Sequence, residues 1–265
     1  MTRTEASLPR PERSAGLQEI LHHERAAFYR GDCLEFLRQL PEHSVDLIVT
    51  DPAYSGMNDH MNFGRGRIVG ARKDPDCDRW FEEFQDDPET FLGFLRACHR
   101  VLRQDRHLYI MFDSFSLLTL GHLVREVFQV KNLLVWDKVR LGMGHYYRRR
   151  HELILFATKG RRKLATRRSP DVWAVTRLTR APYPTQKPVA LFRSMLQESA
   201  EPGMVVLDPF AGSASVGVAA LQEGCCFLGG DTAPRACELS AMRLSAVLEG
   251  EDDPLEPRSD REGSP

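Results

Sequence analysis

Short apolar runs alternate with amphipathic stretches along most of the chain. Runs at Ala26 to Gly31, Val45 to Thr50, Leu108 to Phe112, Asn132 to Trp136, Leu153 to Ala157, Val205 to Asp208 and Cys226 to Gly229 have the length and content of buried strands. Between them lie helical patterns near 33–40, 88–104, 116–129, 187–200, 213–223 and 233–248; Phe91, Phe94, Leu95, Cys98 and Leu102 recur at helical spacing. Strand and helix in alternation predict an α/β domain with a doubly wound, mostly parallel, seven-stranded sheet. Two stretches break the rhythm, 55–87 and 159–186, and read as loop insertions. Residues 1–18 and the acidic, proline-bearing tail 250–265 read as disordered, which leaves one domain over 19–249.

Composition supports a folded, water-soluble chain. Of 265 residues 42% are hydrophobic and 28% charged, and the mean hydropathy is -0.38, too apolar for disorder and too polar for a membrane core. No run approaches the roughly 20 apolar residues that span a bilayer. The opening MTRTEASLPRPERS carries acids and prolines where a signal peptide is apolar, so the expected location is the cytoplasm, with no membrane partner. The six cysteines, at 33, 77, 98, 225, 226 and 237, form no CxxC pair. They suit a reducing compartment without disulfides, and neither they nor the histidines show metal-ligand spacing.

Net charge is only -1, yet it is segregated. From Lys138 to Arg180 there are 13 basic residues against two acids, Glu152 and Asp171. Tyr146, Tyr147 and Trp173 are interleaved with Arg148-Arg149-Arg150, Arg161-Arg162-Lys163 and Arg167-Arg168, a composition suited to phosphates and stacked bases. A merely solvated surface is the plainer alternative. Asn58, Asn62, Arg65 and Arg67 in the first insertion carry side chains able to read base edges in pairs of hydrogen bonds, although phosphate contact is the commoner fate of arginine.

Ligands of open α/β sheets bind beyond the carboxyl ends of the strands, and four of these ends carry acids. Asp208-Pro209-Phe210-Ala211-Gly212-Ser213 is a strand end breaking into a small-residue turn before a helix, a cradle for a ligand. Gly229-Gly230-Asp231 ends another strand 19 positions beyond Gly212, where a carboxylate can hold ribose hydroxyls. Together they suggest an adenosine-containing cofactor; the turn lacks GxGxxG, which disfavours a nicotinamide. Asp51-Pro52-Ala53-Tyr54 at a third end is on its own an ordinary turn sequence. It also sets a carboxylate, a backbone carbonyl and an aromatic ring together. That set could accept both N–H bonds of an exocyclic amine, localise its lone pair, and stack a base drawn out of a duplex.

At these residues the chain resembles the β-class DNA amino-methyltransferases that use S-adenosylmethionine. The resemblance covers roughly 26–248. It rests on the order of Asp51-Pro52-Ala53-Tyr54, Trp136-Asp137-Lys138, His151-Glu152, Lys159-Gly160, Pro184-Thr185-Gln186-Lys187-Pro188, Asp208 to Ser213 and Gly229-Gly230-Asp231. It implies a Rossmann-like, circularly permuted methyltransferase fold in which the catalytic half precedes the cofactor half. By resemblance, Asp51, Pro52 and Tyr54 hold the flipped base. Asp231 binds the cofactor ribose, Phe210 packs near its adenine, and Asp208, Gly212 and Ser213 line the methionine side. Asp32, at the fourth acidic strand end, contacts the adenine, and Thr185 and Lys187 reach the methionine carboxylate. The family usually has proline where this chain has Ala53, which implies a looser loop. Asp at 51, where the cytosine-N4 form usually has Ser, implies transfer to adenine N6, with cytosine N4 as the alternative target. Double-stranded DNA is the implied partner; a homodimer and a cognate restriction endonuclease are compatible with the resemblance.

Three other readings stand beside this one. A silent nucleic-acid-binding protein of the same fold would be expected to have lost part of the constellation. A methyltransferase acting on RNA, protein or a small molecule and a nicotinamide dehydrogenase are the others; the basic segment favours nucleic acid without separating DNA from RNA.

Overall fold

In the computed structural model, residues 8–11, 16–54, 84, 87–142, 146–166, 168–179, 181–183 and 185–256 are described. Their elements run β1 (Gln18–His23), β2 (Ala26–Arg30), α1 (Cys33–Gln39), β3 (Val45–Thr50), α2 (Pro88–Val101), β4 (Leu102–Phe112), α3 (Ser114–Val127), β5 (Gln129–Asp137), β6 (His151–Lys159), β7 (Val172–Ala174), α4 (Val189–Ser199), β8 (Val205–Asp208), α5 (Ser215–Gln222), β9 (Cys226–Asp231) and α6 (Pro234–Leu248).

One sheet carries the fold, in the order β1-β2-β9-β8-β3-β4-β6-β5-β7. The pairs from β2 through β9, β8 and β3 to β4 are parallel, β6 is antiparallel to β4 and β5, and β7 is parallel to β5. All seven expected strands are present, but the sheet has nine. β1 adds an edge by a tight antiparallel hairpin onto β2, and β7 adds the other edge from inside the 159–186 segment that reads as a loop. Both are edge strands; β1 has two apolar residues among six and β7 is only three residues long, so neither leaves a periodic signal.

The alternation of side chains across the pleat divides the core into two layers. Ile48, Leu108, Ile110 and Phe112 face α1, α2 and α3. Their neighbours Leu47, Val49, Tyr109 and Met111 face α4, α5 and α6. Helices on both faces of a parallel sheet bury its strands completely, as in β3, where all six residues are buried. Gly217 lets α5 lie close on β9: a Cβ there would come within 2.6 Å of the Phe227 ring.

The two edges of the sheet are chemically different. At the amino ends of the parallel strands, buried Asp46 accepts from Arg103 (2.7 Å), Arg106 (3.0 Å) and the Val205 N–H (3.0 Å), which ties β3, β4 and β8 together. Lys159 donates to the carbonyls of His99 and Leu102 there, satisfying the end of α2. The carboxyl ends carry the acids described next.

Disorder, expected for 1–18 and from 250 onward, does not describe all of either segment. Leu8 is 5% exposed and joins the core layer of α1 to α3. Asp253 is buried against Arg243. Among the described residues no helix is long and apolar enough to cross a membrane.

Candidate active site

β3 and β8 are adjacent at the centre of the sheet. From β3 the parallel connections run toward β4, and from β8 they run toward β9, so the crevice between their carboxyl ends is the topological switch point. Asp51 follows β3 and Asp208 ends β8, and the two loops are tied where Thr50 Oγ1 donates to Asp208 Oδ1 at 2.9 Å. The expected catalytic and cofactor motifs therefore meet in one place.

Asp51 is paired. Lys187 Nζ bonds its Oδ2, and the same ammonium lies 3.7 Å from Glu152 Oε2. Glu152 in turn faces Lys138 at 3.3 Å, so four alternating charges run from β3 to the start of β6 and the end of β5. Burial pushes the Asp51 carboxyl above the usual range; Lys187 opposes the shift, and Glu152 and Asp113 add to it. For Lys187, burial alone would lower the pKa, but the Asp51 and Glu152 carboxylates outweigh it and hold the ammonium protonated. Lys187 is expected from its motif to meet a methionine carboxylate; the structure places it on Asp51.

The turn after β3 is compact. Pro52 is buried, its carbonyl accepts the Tyr54 N–H at 3.0 Å, and the Ala53 carbonyl accepts the Phe84 N–H at 3.0 Å. Alanine at 53 thus leaves a loop anchored by its neighbours. Tyr54, expected by resemblance to stack the base, is 5% exposed, stacked on Phe112 at 5.1 Å, with its hydroxyl on the Met111 carbonyl. Its ring is part of the aromatic core.

On the other side of the crevice, Asp208 is 2% exposed. Burial pushes its carboxyl up to about 8, against the hydrogen bonds from Thr50 and the Phe210 N–H, with Asp51 and Asp231 adding to the rise. Phe210 lies edge-on to Phe84 and Phe94. Gly212 has φ 53°, and its N–H donates to Asp231 Oδ2 at 2.9 Å. The other Asp231 oxygen accepts the Ala233 N–H at 2.9 Å. Asp32, across β2, caps α1 through the Leu34 and Glu35 N–H groups, all on Oδ1. Ser213 is redirected: it is 4% exposed, and its hydroxyl and carbonyl both accept from Arg243. Thr185 is exposed at the rim and bonds Tyr183.

The basic segment does not form one surface. β6 runs antiparallel to β4, pairing Phe112 with Leu153 and Arg106 with Lys159. Arg148, Arg149 and Arg150 therefore stand at the edge that carries Asp51, whereas Arg161, Arg162 and Lys163 stand about 30 Å away at the opposite edge, the length of the nine-residue β6. Arg162 is paired there with Glu201 at 2.9 Å. Of the first group, Arg150 is held bidentately by Asp137, Arg149 lies over Phe115, and Arg148 donates through Nε to the Gly142 carbonyl. Tyr146 and Tyr147 beside them are more than nine-tenths exposed, at 91% and 95%. Asn58, Asn62, Arg65 and Arg67 lie outside the described residues, as do Arg167 and Pro184.

Sequence patterns assign no function to Glu152, Thr50, Arg243 or Asp253. Arg243 alone carries a legible signal, because it falls on the inward stripe of α6 with Ala236 and Ser240, where an arginine requires a partner.

This arrangement has known relatives. The DNA methylase family of N6/N4 methyltransferases matches residues 45–242. The DNA adenine methyltransferase YhdJ of Escherichia coli K12 is 28% identical over 263 residues, covering 85% of this chain and 84% of its own. Among solved structures, the M1.HpyAVI–SAM complex aligns with a TM-score of 0.59 at 20% identity, covering 83% of this chain and all of the other. The cytosine-N4-specific PvuII DNA methyltransferase aligns at 0.63 and 17%, covering 84% and 88%. The chain belongs to the DNA methylase family. Its sheet is the mostly parallel, Rossmann-like methyltransferase sheet.

Proposed function

We propose that the protein transfers a methyl group from S-adenosylmethionine to the N6 amine of an adenine flipped out of duplex DNA. The observation that carries the proposal is the meeting of Asp51-Pro52 with the Asp208–Ser213 loop across the switch point, joined by the bond from Thr50 to Asp208. The residues fit the donor. Gly212 makes a tight turn against Tyr183, where a Cβ would lie 3.3 Å from the ring. Asp231, fixed by the Gly212 and Ala233 N–H groups, is the carboxylate assigned to the ribose hydroxyls, and Asp32 and Phe210 flank its end of the crevice. Bound there, the donor supplies a methyl group on a positively charged sulfur.

The chain's own residues supply the rest. An exocyclic amine is a poor nucleophile because its lone pair is delocalised into the ring. Lys187 occupies Asp51 Oδ2, which leaves Oδ1 to accept one amine N–H. The Pro52 carbonyl, with one lone pair on the Tyr54 N–H, accepts the second. Held by two acceptors, the amine directs its lone pair out of the ring plane toward the methyl group. As the nitrogen becomes cationic, the Asp51 carboxylate stabilises that charge and can take the departing proton at Oδ1. Lys187 stays protonated between two carboxylates and serves as a counter-ion, not as the base.

Arg148, Arg149 and the two exposed tyrosines at the catalytic edge are assigned to the duplex. Aspartate at 51 and the similarity to an adenine methyltransferase favour adenine over cytosine. The test is methyl transfer to unmethylated duplex DNA by the wild type and by Asp51→Ala. Transfer that disappears in the variant, with donor binding kept, supports the assignment; near-normal turnover in the variant removes it.

A further inference from the structure

Arg243 on α6 is fully buried, and its hydrogen bonds run to two places. Nη1 donates to the Ser213 carbonyl and, at 3.2 and 3.0 Å, to the hydroxyls of Ser213 and Ser215. Nε and Nη2 grip Asp253, the first at 2.9 Å, and both partners have side-chain exposures of 0%. Ser240, one turn earlier on the same helix face, donates to the Gly212 carbonyl at 2.8 Å. Beyond Asp253, Leu255 packs against Tyr183, Ala233, Ala236 and Leu239. Its carbonyl accepts from Gln186 Nε2 at 3.3 Å. The segment Asp253–Leu255 therefore bonds the 185–187 loop directly and reaches the 212–215 loop through Arg243.

The first of these loops needs holding. Ala214 lies between the two serines that Arg243 binds and has φ 56° and ψ 36°, a left-handed conformation that is strained for a residue with a Cβ. Such conformations persist where the surroundings over-determine them. Arg243 clamps both sides of Ala214, and a buried guanidinium can stay there only with a buried counter-charge, which Asp253 provides.

We propose that Arg243 and the Asp253–Leu255 strap are positioning elements for the methyl-donor site: the C-terminal segment buckles onto α6 and fixes the Gly212–Ser215 loop in its binding shape. The inference rests on the reading of that loop as the donor site. Neither residue touches the reacting atoms, so the effect should fall on donor affinity and spare both chemistry and DNA binding.

The test uses the full chain with Asp253→Asn, which removes the counter-charge and keeps the shape. Calorimetry should show about tenfold weaker S-adenosylmethionine binding. The KM for S-adenosylmethionine should rise in step, while kcat at saturating donor and the KM for duplex DNA stay within about twofold. Ser240→Ala removes one loop tie without stranding a charge, and should weaken donor binding about two- to threefold. A folded Asp253→Asn with wild-type donor affinity overturns the proposal, as does a parallel fall in kcat and rise in both KM values. If Asp253→Asn fails to fold, unchanged donor affinity in Ser240→Ala overturns it. A wild type that binds no S-adenosylmethionine would sink the donor-site reading itself, an outcome distinct from a strap that fails to matter.

Discussion

Lys187 and Asp51 form an ion pair across 136 positions of sequence, and the lysine keeps a second carboxylate, Glu152, within 3.7 Å. The carboxylate proposed to hold the amine is thus held, in the free protein, by a cation delivered from the loop before α4. This fixes one carboxylate oxygen and leaves the other for substrate.

Removing the lysine has a defined pH consequence. Burial already raises Asp51, and Lys187 is the main influence pulling it down. In Lys187→Met the Asp51 carboxyl moves further up, so the acid limb of the kcat/KM profile shifts to higher pH. Activity near neutrality falls and recovers in part as pH rises. A profile that keeps its acid limb in place would contradict the pairing.

Asp208 predicts a stability slope. Its carboxyl sits at about 8 in the folded protein, above the value near ~4 of the unfolded chain. A raised folded pKa contributes stability that is fully present below the unfolded value and is lost as pH climbs through the folded one. Asp208→Asn removes the titration and keeps an oxygen for Thr50 and the Phe210 N–H. Melting temperatures of variant and wild type should therefore diverge in the variant's favour between pH 5 and 8 (roughly the window set by the two pKa values). A constant difference over that range would show that Asp208 titrates normally.

The split of the basic segment is testable by salt dependence. Arg148→Ala with Arg149→Ala should weaken duplex binding and flatten the salt slope by up to about one unit per lost phosphate contact. Arg161→Ala with Lys163→Ala, at the opposite edge of the sheet, should leave both unchanged. Equal losses from the two pairs would mean that DNA contacts both edges.

Much of the fold and of the site is legible in the amino-acid sequence, and what is hidden there has physical causes. The central strands announce themselves because both of their faces are buried, which gives runs such as Leu47 to Val49 their continuous apolar character. β1 and β7 escape because an edge strand needs no such run. The motifs around Asp51, Asp208 and Asp231 locate the crevice, since strand ends point to it. Strand direction is invisible in composition, so Arg148 to Arg150 and Arg161 to Lys163 read as one patch until β6 is seen to run the other way. Side-chain partners are equally hidden: Lys187 turns to Asp51, and Tyr54 turns inward onto Phe112. Asp253 sits in a stretch whose acids and prolines suggest disorder, and only the buried Arg243 shows why it is held.

In the proposed function Asp231 belongs to the donor side of the site. Its two oxygens fix the N–H groups of Gly212 and Ala233, so Asp231→Ala should both loosen the turn and remove ribose acceptors. Calorimetry should find S-adenosylmethionine binding weakened by at least about tenfold, a loss of 1.4 kcal/mol or more, with the fold retained. Unchanged affinity would take Asp231 out of the donor site.

The most direct test follows the methyl group itself. Radiolabelled S-adenosylmethionine is incubated with the protein and unmethylated duplex DNA, and the DNA is digested to nucleosides and separated. Adenine transfer at the Asp51-Pro52 site puts the label in N6-methyl-deoxyadenosine, and Asp51→Ala leaves the DNA unlabelled. Label in N4-methyl-deoxycytidine would contradict the target base, and unlabelled DNA from a wild type that binds the donor would contradict the assigned reaction.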